Sequence, residues 1–237
     1  MPEHPDLIRL REEYANRERR LAGSDRYAVF NPAHLFALQQ RQREILDLFR
    51  KTGFLSFNRD RILEIGCGSG GVLAEYLVNG VAPAHLHGID LLPARLREAR
   101  TRLPHLPLAC ADGRFLPYPT ASFDLVLQYT AFTSIMDEKI KAAVAQEMLR
   151  VLRSNGAILW YDFWLNPTNP QTRGIRPAEI RRLFPGCRFH FRRVTLAPPL
   201  ARRLVPFSWI AAALFEKCLI FNSHYLAVIY PYEHNHP

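Results

Sequence analysis

At 237 residues the chain is long enough for one α/β domain with a full core, and its 48% apolar and 22% charged content excludes a disordered or fibrous protein. The net charge of +9 raises nucleic acid or an anionic membrane as partners. The arginines are dispersed, however, in groups such as Arg17, Arg19 and Arg20, Arg95 to Arg102, and Arg192 and Arg193, with no arginine-glycine or aromatic-basic repeat. Solvated helix faces explain them better, and a nucleic-acid partner is disfavoured. Cys67, Cys110, Cys187 and Cys218 lie far apart with no C-x-x-C pair, which gives neither a zinc site nor a disulfide framework and suits a reducing cytosol. The first 25 residues are charged and show no signal peptide, so a cytoplasmic location is expected.

In chain order, residues 1–57 read as a helical cap. Residues 7–21 are highly charged, Pro32 after Asn31 marks a helix start, and Leu38, Ile45, Leu48 and Phe49 carry helical spacing. From Asp60 strands and helices alternate. Strands are predicted at 61–66, 86–90, 106–109, 123–129 and 157–163, helices at 71–79, 93–102 and 138–152, and a turn at Asn155-Gly156. This alternation predicts a doubly wound α/β domain over 58–237, with a largely parallel sheet and helices on both faces. Ligands of such sheets sit beyond the carboxyl ends of the strands. A loop at 166–170 follows, then a helix at 177–184 and strands at 188–196 and 225–230. Residues 198–222 are too many for a hairpin and form a helical insertion, with an apolar helix at 207–221. That run is too short to span a bilayer and is interrupted by Glu216 and Lys217. A docking helix or lid is the preferred reading, with peripheral membrane contact behind it.

The chemistry concentrates in Ile62-Leu63-Glu64-Ile65-Gly66-Cys67-Gly68-Ser69-Gly70-Gly71, a short strand running into a glycine-dense turn. Gly66, Gly68 and Gly71 also satisfy the dinucleotide pattern G-x-G-x-x-G. Glu64 argues against that ligand, because a carboxylate beside the turn repels a pyrophosphate and attracts a ligand with an ammonium and a sulfonium. S-adenosyl-L-methionine is such a ligand. Asp90 ends the second strand, placed to accept both ribose hydroxyls. Asp112 follows the third, placed to accept from an adenine amine. An aspartate after a strand is also a common turn former, so the acids count only as a set.

The set, with its order along the chain, resembles the class I S-adenosylmethionine-dependent methyltransferases. The match is carried by LEIGCGSG, HLHGIDLLPARLREAR, CADGRFLPYPTASFDLVLQYTAF and EMLRVLRSNGAILWYDF, covering residues 61–163. The resemblance implies a Rossmann-like sheet of seven strands, the last antiparallel. It implies that Gly66, Gly68 and Gly70 line the methionine part, that Glu64 orients the ammonium through water, and that Asp90 holds the ribose. Leu91 would pack on the adenine, Asp112 and Gly113 would read its edge, and Gln128 and Tyr129 would border the sulfonium and acceptor. S-adenosyl-L-homocysteine would be the product.

The N-terminal helices and the insertion lie outside the resemblance. Tyr14 and Tyr27 are in segments able to close over the cofactor, and Tyr27 near the sulfonium would contribute on the order of 1 kcal/mol. Both also read as helix-packing tyrosines. Methyl transfer needs alignment and exclusion of water, with a general base only for an acceptor that must lose a proton. His224 and His34 are the catalytic candidates, with Asp162 and Asp137 comparable to them. His234 and His236 lie in the terminal tail. No H-x-x-H or acidic cluster suggests a metal.

The chain has Leu127-Gln128-Tyr129-Thr130 where many base and amine methyltransferases carry Asn/Asp-Pro-Pro-Tyr. Phe207, Trp209, Phe215 and Phe221, with Trp160, Tyr161 and Trp164, suggest an acceptor pocket for a small or lipid-like molecule. Asn166, Asn169 and Arg173 are its polar anchors, or loop formers. The function expected is methyl transfer to a small-molecule acceptor, with oxygen of a glycan, lipid-linked or secondary-metabolite precursor first. N-methylation of a small molecule or RNA, and an inactive cofactor-binding scaffold, are the alternatives. Nothing in the sequence sets the oligomeric state.

Overall fold

The structure, a computed structural model, describes residues 4–21, 23–28, 30–53, 60–166 and 169–232. Its centre is a seven-stranded sheet of β1 (Ile62–Ile65), β2 (Leu86–Asp90), β3 (Leu108–Cys110), β4 (Phe123–Tyr129), β5 (Leu152–Phe163), β6 (Cys187–Leu196) and β7 (Asn222–Pro231). The spatial order is β3-β2-β1-β4-β5-β7-β6, with β7 antiparallel to both neighbours and β1 to β5 parallel. Strand order reverses between β1 and β4, which opens a crevice at their carboxyl ends. The doubly wound sheet and its antiparallel last strand are as the sequence implied.

The helices are α1 (Pro5–Leu21), α2 (Pro32–Thr52), α3 (Gly71–Val78), α4 (Pro93–Arg102), α5 (Glu138–Val151), α6 (Pro177–Leu183), α7 (Pro198–Leu204) and α8 (Trp209–Lys217). One sheet face packs Ile140, Val144, Met148, Ile180 and Leu183 of α5 and α6 against Leu63, Val126 and Trp160. The other packs Ile45, Leu48 and Phe49 of α2, with Leu73, Tyr76 and Leu96, against Ile62, Leu125 and Leu159. Both faces being covered, β4 and β5 read as near-continuous apolar runs. The boundary expected at residue 57 lies outside the described residues, but α2 shares the core of the sheet.

Asn31 starts α2 by accepting from the amides of Ala33 and His34, and Gly53 at φ 81° ends it. The outer helix α1 is fixed at its start, where the Asp6 carboxylate accepts from the amides of Met136 and Asp137 at 2.9 and 3.1 Å. Arg9 donates to the Ser134 carbonyl at 2.5 Å. These contacts lay α1 across the carboxyl ends of β1 and β4.

Two local expectations are corrected. Asn155 and Gly156 make no turn; they lie inside β5, where the register with β4 shifts between Phe123 and Leu125. The helix expected at 207–221 is divided. Pro198 and Pro199 open α7, which ends before Pro206. Ser208 then caps α8 by accepting from the Ala211 amide, and a single 3-10 turn at Leu219–Phe221 leads into β7.

Candidate functional site

A cavity of about 320 Å3 opens at the carboxyl ends of β1, β2 and β4 beneath α1. Its floor is the glycine turn. The amides of Gly66 and Cys67 both donate to the Ile89 carbonyl at 2.9 Å, tying the turn to β2. Asp90 accepts from the Gly68 amide through one carboxylate oxygen and from the Leu92 amide through the other, each at 2.8 Å. Each oxygen keeps a lone pair for a further donor. Gly68 has φ 54°, a conformation that favours glycine, and the Arg95 guanidinium lies against it, 2.7 Å from where a Cβ would stand.

Glu64, Gly66, Gly68, Asp90, Leu91, Asp112, Gly113, Tyr14 and Tyr129 all line this cavity. Gly70 does not; at φ 81° it is the N-cap of α3 and packs on Leu103. Glu64 is fully buried, and its Oε2 has no hydrogen-bond partner. Burial pushes its carboxyl well above the ordinary range, with Glu75 adding to this, Arg41 opposing and Asp90 adding further. Burial also raises the Cys67 thiol, which keeps it protonated and suits a packing role. Asp112 is raised by burial, but hydrogen bonds from Arg114, one of 2.6 Å, outweigh that and hold it below the usual value. The Tyr14 hydroxyl lies 3.3 Å from Ser134 Oγ, and the Arg95 guanidinium sits 5.0 Å from its ring.

A second cavity of about 890 Å3 adjoins the first, and Arg17, Arg41, Thr130, Ser134 and Tyr161 line both. Its remaining wall is mixed, with polar residues such as Asn31, His34, Asn169, Gln171, Thr195 and His224 beside apolar ones such as Leu21, Leu38, Phe163, Leu165 and Pro198. Arg41 reaches from α2 to pair with Glu75 and lies over the rings of Tyr129 (5.2 Å) and Tyr161 (5.5 Å). Thr130 and Thr195 hold positive φ of 54° and 65°, two of the three non-glycine residues that do so among the described residues. Such strain gathers at sites where a fixed backbone is needed.

Several expected residues stand elsewhere. Tyr27 faces the second cavity, 54% exposed, its hydroxyl accepting from Arg17 at 2.9 Å, and does not border the first. Gln128 is buried away from both cavities and donates to Asp162 at 2.6 Å, because alternation along β4 turns Tyr129 rather than Gln128 toward the crevice. Asp162 also accepts from Thr133 Oγ1 at 2.7 Å, and burial lifts it to about 6. Trp164 lies outside both cavities, donating to the Asn222 carbonyl at 2.8 Å beneath Arg193. Arg173 pairs with Glu138 and Glu179, and Asp137 caps α5. Phe207, Trp209, Phe215 and Phe221 line neither cavity, whereas Tyr161, of the same expected set, lines both. His234 and His236 lie outside the described residues.

Both catalytic candidates face the second cavity. His224 is buried between Tyr161 and Phe163, with ring centroids 4.6 and 3.8 Å away, and its Nδ1 is 3.0 Å from Ser223 Oγ. Burial, then the Arg41 charge, push it down to about 3. His34 is half-buried, edge-on to Tyr27, and lowered from its ordinary value by burial and Arg41. Among the described residues no group of three or more His, Cys, Asp or Glu could hold a metal ion.

Residues 62–156 match a family model described as a methyltransferase domain. The chain carries a class I S-adenosylmethionine-dependent methyltransferase domain. It is 35% identical over 138 residues to the phthiotriol/phenolphthiotriol dimycocerosates methyltransferase of Mycobacterium leprae, a match covering 57% of this chain and 49% of that protein. It is 34% identical over 130 residues to the malonyl-[acyl-carrier protein] O-methyltransferase of Halorhodospira halophila, covering 52% and 41%. The matches thus span about half the length of these curated relatives. In fold, it resembles the geranyl diphosphate C-methyltransferase of Streptomyces coelicolor A3(2) (TM-score 0.66, 15% identity, 96% of this chain and 98% of that one). A second likeness is a methyltransferase structure from Methanosarcina mazei (TM-score 0.57, 17% identity, 77% and 97%).

The residues of this methyltransferase domain fit the donor such domains use. A buried carboxylate oxygen without a partner, aimed into a cavity, calls for a cationic donor such as an ammonium. Sequence reasoning missed Arg41, Arg95, Thr130 and Ser134. The two arginines carry no motif and resemble any helix-surface arginine, whereas Thr130 directly follows Tyr129 and could have been found by extending the strand-end rule one residue.

Proposed function

We propose that the protein transfers a methyl group from S-adenosyl-L-methionine to an oxygen of a small, hydroxyl-rich acceptor held in the second cavity. The observation that carries this reading is the junction of the two cavities at Thr130, Ser134, Tyr161 and Arg41. A donor seated on the glycine turn would face an acceptor across that junction, screened from water by α1. S-adenosyl-L-methionine supplies an activated methyl on a good leaving group. Glu64 would hold its ammonium, Asp90 its ribose hydroxyls, and Leu91, Asp112 and Gly113 its adenine.

The mixed wall, apolar side chains with interspersed polar ones, suits a glycan, lipid-linked or secondary-metabolite precursor that bears both apolar surface and hydroxyls. The names of the relatives, one a methyltransferase of phthiotriol dimycocerosates and one an O-methyltransferase, support a small or lipid-like acceptor. For an acceptor that must lose a proton, His34 is the base we assign. It is neutral at pH 7 and faces the acceptor space, whereas His224 binds protons too weakly for the task. Among the described residues no helix is long and apolar enough to cross a membrane. A cytoplasmic location belongs to this proposal, supported by four cysteines that form no disulfide.

The test is release of S-adenosyl-L-homocysteine when the full chain is given S-adenosyl-L-methionine and a panel of sugar, polyol and phenol acceptors. Hydroxyl-dependent release supports the proposal. Tight donor binding without release for any acceptor would favour the scaffold alternative instead.

A further inference from the structure

The insertion between β6 and β7 is built inside out. Helix α8 turns Ala212 and Glu216 inward and sends its large apolar side chains to solvent. On α8, Ile210 (75% exposed) and Leu214 are four apart and share one face, and Phe207, 91% exposed, stands in the turn just before the helix. Leu219 and Ile220 extend the patch along the following turn. A surface helix bordered only by water shows the opposite arrangement.

The exposed charges of the insertion have one sign. Residues 198–221 contain Arg202, Arg203 and Lys217, all exposed, and a single acid, Glu216, which is inward-facing and paired with Arg43 at 2.7 Å. A second copy packed on this face by a two-fold axis would bring these cations against their own copies. An anionic surface would instead meet apolar side chains and cations together. Helix α7 of the same insertion helps to form the wall of the second cavity through Pro198, Pro199, Ala201 and Arg202.

We infer that the α7–α8 insertion is an interfacial anchor that docks the protein on an anionic lipid bilayer, with the second cavity beside the contact. Phe207, Ile210 and Leu214 enter the acyl boundary, while Arg203 and Lys217 meet the anionic headgroups. Neither α7 nor α8 is long enough to cross, so the helices lie in the plane of the interface. The placing of the cavity beside the bilayer rests on the acceptor reading above; the docking does not.

The experiment is flotation of the full chain with vesicles, in the absence of donor and acceptor. Vesicles of equal parts phosphatidylcholine and phosphatidylglycerol should bind it, and phosphatidylcholine alone far less. Phe207→Asp with Ile210→Asp should weaken binding about tenfold or more, and Arg203→Glu with Lys217→Glu several-fold. Val78→Asp, on an exposed apolar residue of α3, should change nothing. Phe207→Trp keeps the surface intact and should bind with a blue-shifted emission. Calorimetry with S-adenosyl-L-homocysteine on the same variants reports the donor site separately, so the two proposals fail independently. Absence of binding to the anionic vesicles overturns the inference. So does binding indifferent to Phe207→Asp, or a dimer broken by Phe207→Asp in a protein without vesicle affinity.

Discussion

The two cavities are made in different ways. The first, proposed as the donor cavity, draws on the carboxyl ends of consecutive strands and the turns after them: Glu64 to Gly68 at β1, Asp90 and Leu91 at β2, Asp112 and Gly113 after β3. The acceptor cavity is gathered from α1, α2, the loop after β5, the ends of β6 and β7, and α7. The first needs only a repeated crossover unit, since each unit delivers its strand end to the same edge. The second needs helices and loops from opposite ends of the chain to dock correctly. A donor common to many enzymes suits the former, and an acceptor particular to one suits the latter.

If this division holds, variants in the two cavities should separate cleanly. The largest effect is expected in the acceptor cavity. His34→Gln should lower kcat by roughly 100- to 10,000-fold with a hydroxyl acceptor, the usual range for loss of a general base. Affinity for S-adenosyl-L-homocysteine in calorimetry should stay unchanged. The wild-type rate should rise with pH through a value below 6.5 and then level, because His34 is lowered and must be neutral to act. A rate loss shared with donor binding would break the separation.

In the donor cavity, Asp90→Ala removes the acceptor of two backbone amides and, on the proposal above, of the ribose hydroxyls. It should weaken S-adenosyl-L-homocysteine binding by about 1–3 kcal/mol. An unchanged affinity would remove Asp90 from the site. A pH effect follows from Glu64. Its free-state pKa is raised, and an ammonium partner favours the charged form, so binding should release a proton. Donor affinity should therefore fall as pH is lowered through that raised value, by about tenfold per unit, and Glu64→Gln should flatten the dependence. Proton release is read by calorimetry in buffers of different ionisation enthalpy. The smallest effect is expected outside both cavities. Arg173→Ala breaks half-exposed ion pairs to Glu138 and Glu179 and should cost no more than about 1 kcal/mol in thermal unfolding, with turnover intact.

The limits of β4 and α4 agree with the sequence reading to the residue, because a buried apolar run and a proline at the helix start are local signals. Asn155-Gly156 misled for the opposite reason. Its turn preference yields to the pairing of β4 with β5, which is decided by partners about thirty residues away. The choice between Tyr14 and Tyr27 at the donor cavity was equally out of reach. It depends on how α1 lies, and that is set by Asp6 reaching amides 130 and 131 residues distant. The aromatic insertion was read as a pocket wall because composition reports how apolar a helix is but not which way it faces.

The alternation of apolar strands and helices after Asp60 determined the doubly wound sheet, and the positions of Glu64, the glycine turn, Asp90 and Asp112 put them at the carboxyl ends of its strands, since chirality of the crossover and alternation along a strand leave few other placements. Which residues close that edge, where Arg41 and His34 stand, and that Phe207 and Ile210 face outward were decided only by the tertiary structure. Those outcomes hang on helix docking, in which contacts between distant segments outweigh any preference written in the neighbouring residues.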